Sequence, residues 1–373
     1  MTKPLEGLLV VALEQAVAAP LCSRKLADAG ARVVKLERPE GDFARAYDSL
    51  VHGESAYFVW LNRGKESVFM DLSRDEDRKL LDALLAKADV FIQNLKPGSV
   101  AKLGYAIPDL VNKYPRLICA SISGYGEHGP YASRKAYDLL VQAESGLASI
   151  TGGPESPARV GVSVVDIATG MNAYEAILEA LLRRAVTGKG GEVQVSLFDS
   201  MSEWMAVPLL QAGGGKPPKR VGFQHPTVAP YGVFDTADGT PILISIQNDR
   251  EWATFAKKIL SRPELATDPK MATNIARVAN RAEMDAIIAS NFRARAIDEL
   301  ASALDTAEIA YGRVNDVHGL MRHPHYRITT VGTPSGPADV PAPPGIHVGE
   351  KIAFGPVPGL GQHDAAVRRE FLG

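Results

Sequence analysis

Short apolar runs alternate with amphipathic segments through the first half of this 373-residue chain, and this alternation constrains the fold most. The apolar runs, rich in Val, Ile and Leu, lie at residues 8–13, 32–36, 67–72, 89–94 and 117–123. The segments between them that have helical periodicity and charged outer faces lie at 20–29, 75–88 and 98–113. Near-continuous apolar strands are typical of a parallel sheet covered on both faces by its crossover helices. The pattern therefore predicts a doubly wound α/β domain.

The second half of the chain carries a more varied pattern. A long helix is predicted over 164–185, with a glycine-rich stop and then a strand at 192–197. Residues 211–230 are rich in Gly, Pro and Lys, which predicts a linker or mobile loop and a domain boundary. Beyond it, the patterns predict a β-hairpin from 231–235 and 241–247, and helices over 250–259 and 277–304. The proline-rich stretch 334–344 is predicted to form an irregular return connection.

Charge and cysteine content exclude several kinds of protein. The chain has 41 Lys and Arg against 43 Asp and Glu, so its net charge of -2 gives no general attraction to nucleic acid or to an anionic membrane. Its two cysteines, Cys22 and Cys119, lie far apart in apolar stretches, which argues against a disulfide framework and against a zinc site. The first apolar run is too short for a signal or membrane helix, so we expect a cytoplasmic protein. Because a zinc site is not expected, we also expect no bound metal.

Familiar catalytic motifs are absent from the sequence. It has no Walker A motif, no GxGxxG after the first strand, no GxSxG and no HExxH. The small residues of QAVAAP at 15–20 follow the first strand. They allow a ligand to approach the backbone before a helix N-terminus, or they only allow tight packing of strand against helix.

The start of the long helix contains the most informative local feature. Ser163 and Asp166 have the spacing of a capping box, in which Asp166 would only satisfy the helix N-terminus. Alternatively, free amides and the helix dipole would lower the pKa of Asp166 and keep it ionised as a covalent nucleophile. The spacing alone does not separate these interpretations.

Motifs in the same order along nearly the whole chain resemble those of family III CoA-transferases. The family includes formyl-CoA transferase, carnitine CoA-transferase and the related alpha-methylacyl-CoA racemases. The matching motifs are PLEG at 4–7, KLERP at 35–39, GD at 41–42, NRGK at 62–65, MDL at 70–72, QNLKPG at 93–98, SGYG at 123–126, YDLL at 137–140, GKGG at 188–191 and PYGVF at 230–234. The family's catalytic aspartate lies in a segment like GxxxxDxxxG before a long apolar helix. The resemblance thus implies that Asp166 is catalytic.

The resemblance also implies the architecture and assembly. It implies a Rossmann-like large domain over 1–210 and 326–373, and a smaller α+β domain with its linkers over 211–325. Two ring-like subunits would interlock as a homodimer. The partners expected are small molecules, an acyl-CoA and a carboxylic acid, with coenzyme A thioesters as substrates and no permanently bound cofactor.

Family positions that hold CoA can be carried over residue by residue. They match Val17, Ala18, Arg38, Met70, Asp71, Leu72, Ser73, Asn94, Leu95, Lys96, Lys102, Arg134, Lys135, Ala136 and Tyr137. The cations among them would meet the CoA phosphates, which a slightly acidic protein must bind through a local cluster. Lys102 stands where relatives often have Arg, so bidentate phosphate binding is not expected there.

Other functions within and beyond the family remain open at this point. A racemase needs paired acid and base groups and carries His before the aspartate that matches Asp138. This chain has Tyr137 there, whose reference pKa of about 10 makes it a poor base. Asp138 is instead predicted to be the N-cap of the helix that follows it. A non-catalytic acyl-CoA binding protein would be expected to lack Asp166.

The resemblance implies a mechanism through covalent Asp166 intermediates, an anhydride and then a CoA thioester. Gly213 to Gly215 would either stabilise the oxyanion or shield the anhydride, or be only a linker. The sequence around His225 and Arg250 looks closer to the branch that uses short dicarboxylates than to the formate and oxalate branch. We therefore expect succinyl-CoA as donor and a dicarboxylate such as mesaconate, itaconate or citramalate as acceptor. His225, Gln247 and Arg250 are the candidate contacts of its second carboxylate.

Overall fold

The computed structural model describes residues 3–346, 348–349 and 353–373. A parallel sheet of six strands is formed by β1 (Leu9–Leu13), β2 (Arg32–Glu37), β3 (Lys65–Phe69), β4 (Val90–Gln93), β5 (Ile118–Ser123) and β6 (Gly191–Ser196). Their order is β3-β2-β1-β4-β5-β6, and every neighbouring pair is parallel. This is the strand order of a doubly wound sheet and confirms the predicted α/β fold.

The helices complete the chain between and beyond these strands. They are α1 (Ala18–Asp28), α2 (Ala56–Asn62), α3 (Asp75–Lys87), α4 (Ser99–Lys102), α5 (Ile107–Lys113), α6 (Asp138–Glu144), α7 (Leu147–Ile150), α8 (Val164–Thr187), α9 (Leu197–Trp204), α10 (Ala206–Gly213), α11 (Asp249–Lys258), α12 (Asn274–Ala279), α13 (Arg281–Phe292), α14 (Ile297–Thr306), α15 (Val317–Met321) and α16 (Asp364–Leu372). Short 3₁₀ helices lie at Phe43–Ala46 and Pro263–Ala266.

Two long helices predicted from the sequence are interrupted. The segment 98–113 forms α4 and α5, because Gly104 between them adopts a φ of +93° and Pro108 lies in the first turn of the second helix. The segment 277–304 belongs to α12, α13 and α14. The break between α12 and α13 falls at Asn280, whose side-chain amide donates to the carbonyls of Lys270 and Ala276.

The remaining strands form two antiparallel sheets. One consists of β7 (Tyr231–Asp235), β8 (Pro241–Ser245) and β9 (Ala310–Arg313), and the other of β10 (Ile328–Thr333) and β11 (Gly336–Pro341). The prediction of an irregular stretch over 334–344 is wrong, because β11 lies there and buries Ala338 and Val340. A strand with one neighbour leaves alternate N–H groups unpaired, which allows proline at 337 and 341.

The parallel sheet is buried on both faces, as the apolar runs predict. Val10 and Val33 pack on one face with helices α1 and α8, whereas Val11 and Val34 pack on the other with α3. Alternate residues of each strand therefore belong to different layers of the core. None of the helices within the described residues has the length and apolar character needed to cross a membrane.

The chain divides into two compact units. The first comprises Met1–Leu147, Arg159–Val207 and Arg327–Gly373, and the second Ala148–Ala158 and Pro208–Tyr326. Segment 148–158 thus departs from the predicted large domain over 1–210. It joins the second unit because the Arg220 guanidinium donates to the carbonyls of Ser149, Gly153 and Pro154. Residues 347 and 350–352 of the predicted 326–373 segment lie outside the described residues.

Candidate active site

A cavity of about 650 Å³ opens at the carboxyl ends of the parallel strands in the first unit. It is lined by residues that follow β1, β4 and β5, including Gln15, Asn94 and Lys135. Strands β1 and β4 are neighbours at the point where the strand order reverses. Ligands of open α/β sheets bind at such a switch point. The cavity therefore occupies the place where this fold binds ligands.

The loops after β1 and β4 are joined directly across the switch point. The Asn94 side chain accepts the backbone N–H of Gln15 at 3.0 Å and donates to the Gln15 carbonyl at 2.8 Å. One amide side chain thus satisfies both backbone groups of its neighbour. This pair fixes the edge of the cavity.

A buried ion-pair cluster of Glu14, Lys35, Asp42 and Lys65 supports the loop after β1. The Lys65 ammonium lies 2.7 Å from Glu14, and the Lys35 ammonium lies 2.9 Å from Asp42, with all four side chains fully buried. Asp42 also accepts the backbone N–H of Ala16 at 3.1 Å. Ala16 has a φ of +66°, a conformation that costs energy for alanine and that surrounding structure must hold. The cluster therefore helps to fix the cavity-lining backbone.

The charges in this cluster are mutually compensated. Burial alone would raise the pKa of Glu14, yet attraction to Lys65 and Lys35 holds that pKa below its ordinary value. Burial lowers the pKa of Lys65 to about 8, although Glu14 opposes the shift. A charge removed from such a group leaves another buried charge without its partner.

Asp166 is the third residue of α8 and lines the cavity. Gly170, one helical turn later, packs directly on the loop and first turn of α1. A β-carbon added at Gly170 would lie 2.6 Å from the Ala18 carbonyl oxygen, which is too close for any side chain. The glycine of the GxxxxDxxxG segment thus lets α8 approach the backbone after β1 and brings Asp166 to the cavity.

The N-terminus of α8 is capped by Asp138, a residue distant in sequence. The Asp138 carboxylate accepts the backbone N–H of Val165 at 2.8 Å and that of Asp166 at 3.3 Å. Ser163 occupies the N-cap position without a side-chain bond to the helix, and its hydroxyl lies 3.1 Å from that of Tyr57. The predicted capping box is therefore wrong. The prediction that Asp138 caps its own helix is also wrong, because Tyr137 occupies the N-cap of α6.

The electrostatics of Asp166 differ from the expectation of a lowered pKa. Burial, and secondly the negative charge of Asp138, raise the pKa of Asp166 from its ordinary value of 3.8 to about 7. The nearest helix amides already bind Asp138, so they do not offset this cost. A carboxylate with a raised pKa is a stronger base and nucleophile than one in water. Asp166 thus holds its proton to a much higher pH than a carboxyl group in water.

The structure brings many of the residues predicted to bind CoA into the cavity lining. The members that line it are Val17, Ala18, Asn94, Leu95, Lys96, Arg134, Lys135, Ala136 and Tyr137. The others do not line it and are Arg38, Met70, Asp71, Leu72, Ser73 and Lys102. Arg38 and residues 70–73 follow β2 and β3 at the same sheet edge, but the side chains of Met70 and Leu72 are buried in the core.

Several lining residues were not among the predicted site residues. Gln15 and Ala16 belong to the QAVAAP segment after β1, whose small residues allow a ligand to approach, but they were not among the predicted CoA contacts. Tyr47, Tyr57 and Arg159 come from loops and a short helix without a recognisable motif. Burial, and then the charges of Asp42 and Asp166, raise the pKa of Tyr47 to about 12, so its phenol remains a proton donor.

The three candidate substrate residues belong to the second unit. His225 stacks on Tyr231 with ring centroids 5.3 Å apart, and its Nδ1 accepts the Thr227 N–H. The Gln247 amide donates to Ser245, and Arg250 is exposed in the first turn of α11. All three therefore belong to the unit that does not contain Asp166.

The glycine run that was expected to be a linker or an oxyanion site begins at the end of α10. The amides of Gly214 and Gly215 donate to the carbonyls of Leu210 and Ala212. These two N–H groups therefore terminate the helix in this conformation. The described residues contain no group of three or more His, Cys, Asp or Glu side chains that could hold a metal ion.

Comparisons with known proteins point to a single family. A family model described as CoA-transferase family III matches residues 5–364. The acetyl-CoA:oxalate CoA-transferase of Acetobacter aceti is 35% identical over 99% of this chain and 96% of its own length. The human succinyl-CoA:glutarate CoA-transferase is 34% identical over 99% of this chain and 86% of its own length. A crystal structure of a CAIB/BAIF family protein from Brucella suis has a TM-score of 0.85 and 35% identity, with both chains fully covered.

Proposed function

The chain belongs to CoA-transferase family III, and on this premise we propose that it moves CoA from succinyl-CoA to a four- or five-carbon dicarboxylate with Asp166 as covalent nucleophile. The observation that carries the proposal is the Asp166 carboxylate at the start of α8 in a cavity at the sheet's switch point. Its raised pKa supports the role, because a desolvated carboxylate gains reactivity.

The proposed reaction proceeds in balanced acyl transfers. The Asp166 carboxylate attacks the carbonyl carbon of the succinyl thioester, and the C–S bond breaks. CoA thiolate departs, and a mixed anhydride between Asp166 and succinate is formed. The thiolate attacks the aspartyl carbonyl of that anhydride, which releases succinate and forms an aspartyl-CoA thioester. The acceptor carboxylate then repeats the sequence in reverse, which regenerates Asp166. Covalent steps of this kind divide a difficult displacement into easier ones.

The cations of the cavity support binding of the thioester. Lys96 and Lys135 follow β4 and β5, and CoA carries a diphosphate and a further phosphate that require local positive charge. We propose that the fifteen residues carried over from the family, Arg38 and Lys102 among them, contact CoA. His225, Gln247 and Arg250 are proposed contacts of the acceptor.

The choice of acceptor is tested by a screen of free acids against succinyl-CoA. Glutarate, mesaconate, itaconate and citramalate are compared with oxalate, formate and carnitine, and the thioester products are separated by chromatography. We expect efficient transfer to the four- and five-carbon dicarboxylates, in line with the succinyl-CoA:glutarate relative. Transfer only to oxalate would instead favour the activity of the Acetobacter aceti relative.

Racemisation is an alternative within the superfamily. Tyr137 occupies the position where a racemase carries His, and its side chain is 59% exposed at the N-cap of α6. We therefore expect no exchange of the α-proton when a 2-methylacyl-CoA is incubated with the protein in deuterium oxide. Exchange at a rate comparable with CoA transfer would support a racemase.

We also propose a cytoplasmic homodimer. Leu182 and Val186 on α8 are 71% and 89% exposed, which is unusual for large apolar side chains on one helix. Interlocked subunits would cover such a face and leave no stable monomer. Analytical ultracentrifugation at nanomolar concentration should find dimers, and a folded, active monomer would contradict the assembly.

A further inference from the structure

Arg159 lines the same cavity as Asp166 and has an accessible guanidinium. Its Nη2 donates to the carbonyl oxygen of Gly161 at 2.9 Å, which orients the side chain along its own segment. Within residues 3–346, 348–349 and 353–373, no carboxylate lies within ion-pair distance of this guanidinium. Arg159 therefore presents an uncompensated positive charge to the cavity.

Hydrogen bonds connect the backbone beside Arg159 to the helix that carries Asp166. The Val160 N–H donates to the Gln142 side-chain oxygen at 2.8 Å, and the Gln142 amide donates to Asp138 at 2.7 Å. Asp138 in turn accepts the first amides of α8. Gln142 is fully buried, so its two bonds fix the segment before α8 against the Asp138 cap.

The other cations lining the cavity differ from Arg159 in their position or partners. Arg134 lies 3.6 Å from Glu144 and stacks on Tyr131. Lys96 and Lys135 lie on loops after β4 and β5 and are proposed to bind CoA phosphates. Arg159 alone among these cations belongs to the segment that leads directly into α8 and Asp166.

We infer that Arg159 binds the second carboxylate of the dicarboxylate acyl group carried by Asp166 and thereby selects diacids over monoacids. This inference rests on the proposed function. The guanidinium offers a planar fork that binds both oxygens of a carboxylate through charge-assisted hydrogen bonds. A monocarboxylate of equal length would leave the guanidinium without a partner and gain nothing from it.

A competition between two acceptors isolates this role. Glutarate and pentanoate, which have equal carbon numbers, are mixed at equal concentration with succinyl-CoA, and the ratio of glutaryl-CoA to pentanoyl-CoA is measured. Because both acceptors compete for the same aspartyl-CoA, effects on the donor cancel from the ratio. We expect Arg159→Ala to lower the ratio at least tenfold and Arg159→Lys to lower it less, since the charge remains.

Arg116→Ala serves as the matched control. Arg116 is likewise exposed and donates to one backbone carbonyl, that of Gly188, but it does not line the cavity. We expect this variant to keep the ratio of the original protein, and we expect all three variants to keep its melting temperature. A ratio in Arg159→Ala within twofold of the original would overturn the inference alone. Failure of the unmodified protein to form any glutaryl-CoA would contradict the proposed function as well as the inference.

Discussion

The Asp138 carboxylate accepts the backbone N–H of Asp166 at 3.3 Å. The helix amide nearest to the Asp166 side chain is therefore bound to another acidic residue. Helix N-termini normally stabilise negative charge, but here that capacity serves Asp138. Asp166 is left partly buried beside a second carboxylate, and its pKa rises to about 7. The arrangement raises the basicity of Asp166, the proposed nucleophile.

The pH dependence of the reaction follows from this relationship. In the proposed mechanism the attacking group is the ionised carboxylate of Asp166, so kcat/KM for succinyl-CoA should rise with pH through an apparent pKa of about 7. Asp138→Asn removes the repulsion and keeps an oxygen for the helix amides, so the acid limb should move to lower pH. Burial is the larger cause, and the pKa should therefore remain above 3.8. If the acid limb does not move in this variant, the charge of Asp138 does not raise the pKa of Asp166.

The raised pKa of Asp166 also predicts that the ionised side chain lowers the stability of the folded protein. The folded-state pKa of Asp166 is above its unfolded value, so its favourable contribution is present below pH 3.8 and is lost as pH rises through about 7. A difference of about three pKa units corresponds to roughly 4 kcal/mol at most. Asp166→Asn should therefore raise the melting temperature at pH 8 by several degrees, and by much less at pH 4. Equal changes at both pH values would argue against the raised pKa.

The proposed CoA contacts predict that some substitutions, but not others, raise KM. Lys135→Ala should raise the KM for succinyl-CoA roughly tenfold, the effect of losing about 1.4 kcal/mol of charge-assisted binding. Arg38→Ala should raise it by less, because Arg38 does not line the cavity in this structure. Lys189→Ala, an exposed lysine outside the lining, is the control and should leave KM unchanged. The difference in KM between Lys135→Ala and the original protein should become smaller at high salt. An unchanged KM at both low and high salt would show that Lys135 does not bind CoA.

The buried cluster beneath the cavity predicts a large structural effect. Lys35→Met leaves Asp42 and Glu14 with one fewer buried cation, which should destabilise the protein by roughly 3–5 kcal/mol. Arg262→Ala removes an exposed pair with Glu264 and should cost about 0–1 kcal/mol. Denaturant unfolding of both variants measures the contrast. Similar small losses in the two variants would show that the cluster does not stabilise the fold.

Strand periodicity predicted the parallel sheet because near-continuous apolar runs such as Val10 to Ala12 report burial on both faces. The breaks at Gly104 and Asn280 depend on local backbone geometry, which helical periodicity does not encode. The strand over 336–341 was missed because its prolines suggested irregular chain. Proline is tolerated in a strand where its backbone nitrogen faces away from the neighbouring strand.

Position after a strand marked only part of the site, whereas Asp166 was predicted from the GxxxxDxxxG segment at the start of α8. Asn94 and Lys135 could be placed at one sheet edge from their position after β4 and β5. The Asp138 cap could not, because it links residues 28 positions apart through tertiary packing. The pKa of Asp166 was expected to fall for the same reason, since the sequence does not show which carboxylate receives the helix amides. Arg159 was missed because its segment has no strand or motif to mark it.

Covalent capture of Asp166 tests the central claim most directly. The protein is mixed with succinyl-CoA without an acceptor, quenched in acid within milliseconds to seconds, and examined by intact-mass spectrometry and peptide mapping. We predict a CoA or succinyl adduct on the peptide that contains Asp166, lost when free glutarate is added in excess. Asp166→Asn and Asp166→Ala should show neither adduct nor turnover. Full turnover in these variants, or an adduct on another residue that is chemically competent, would contradict the account.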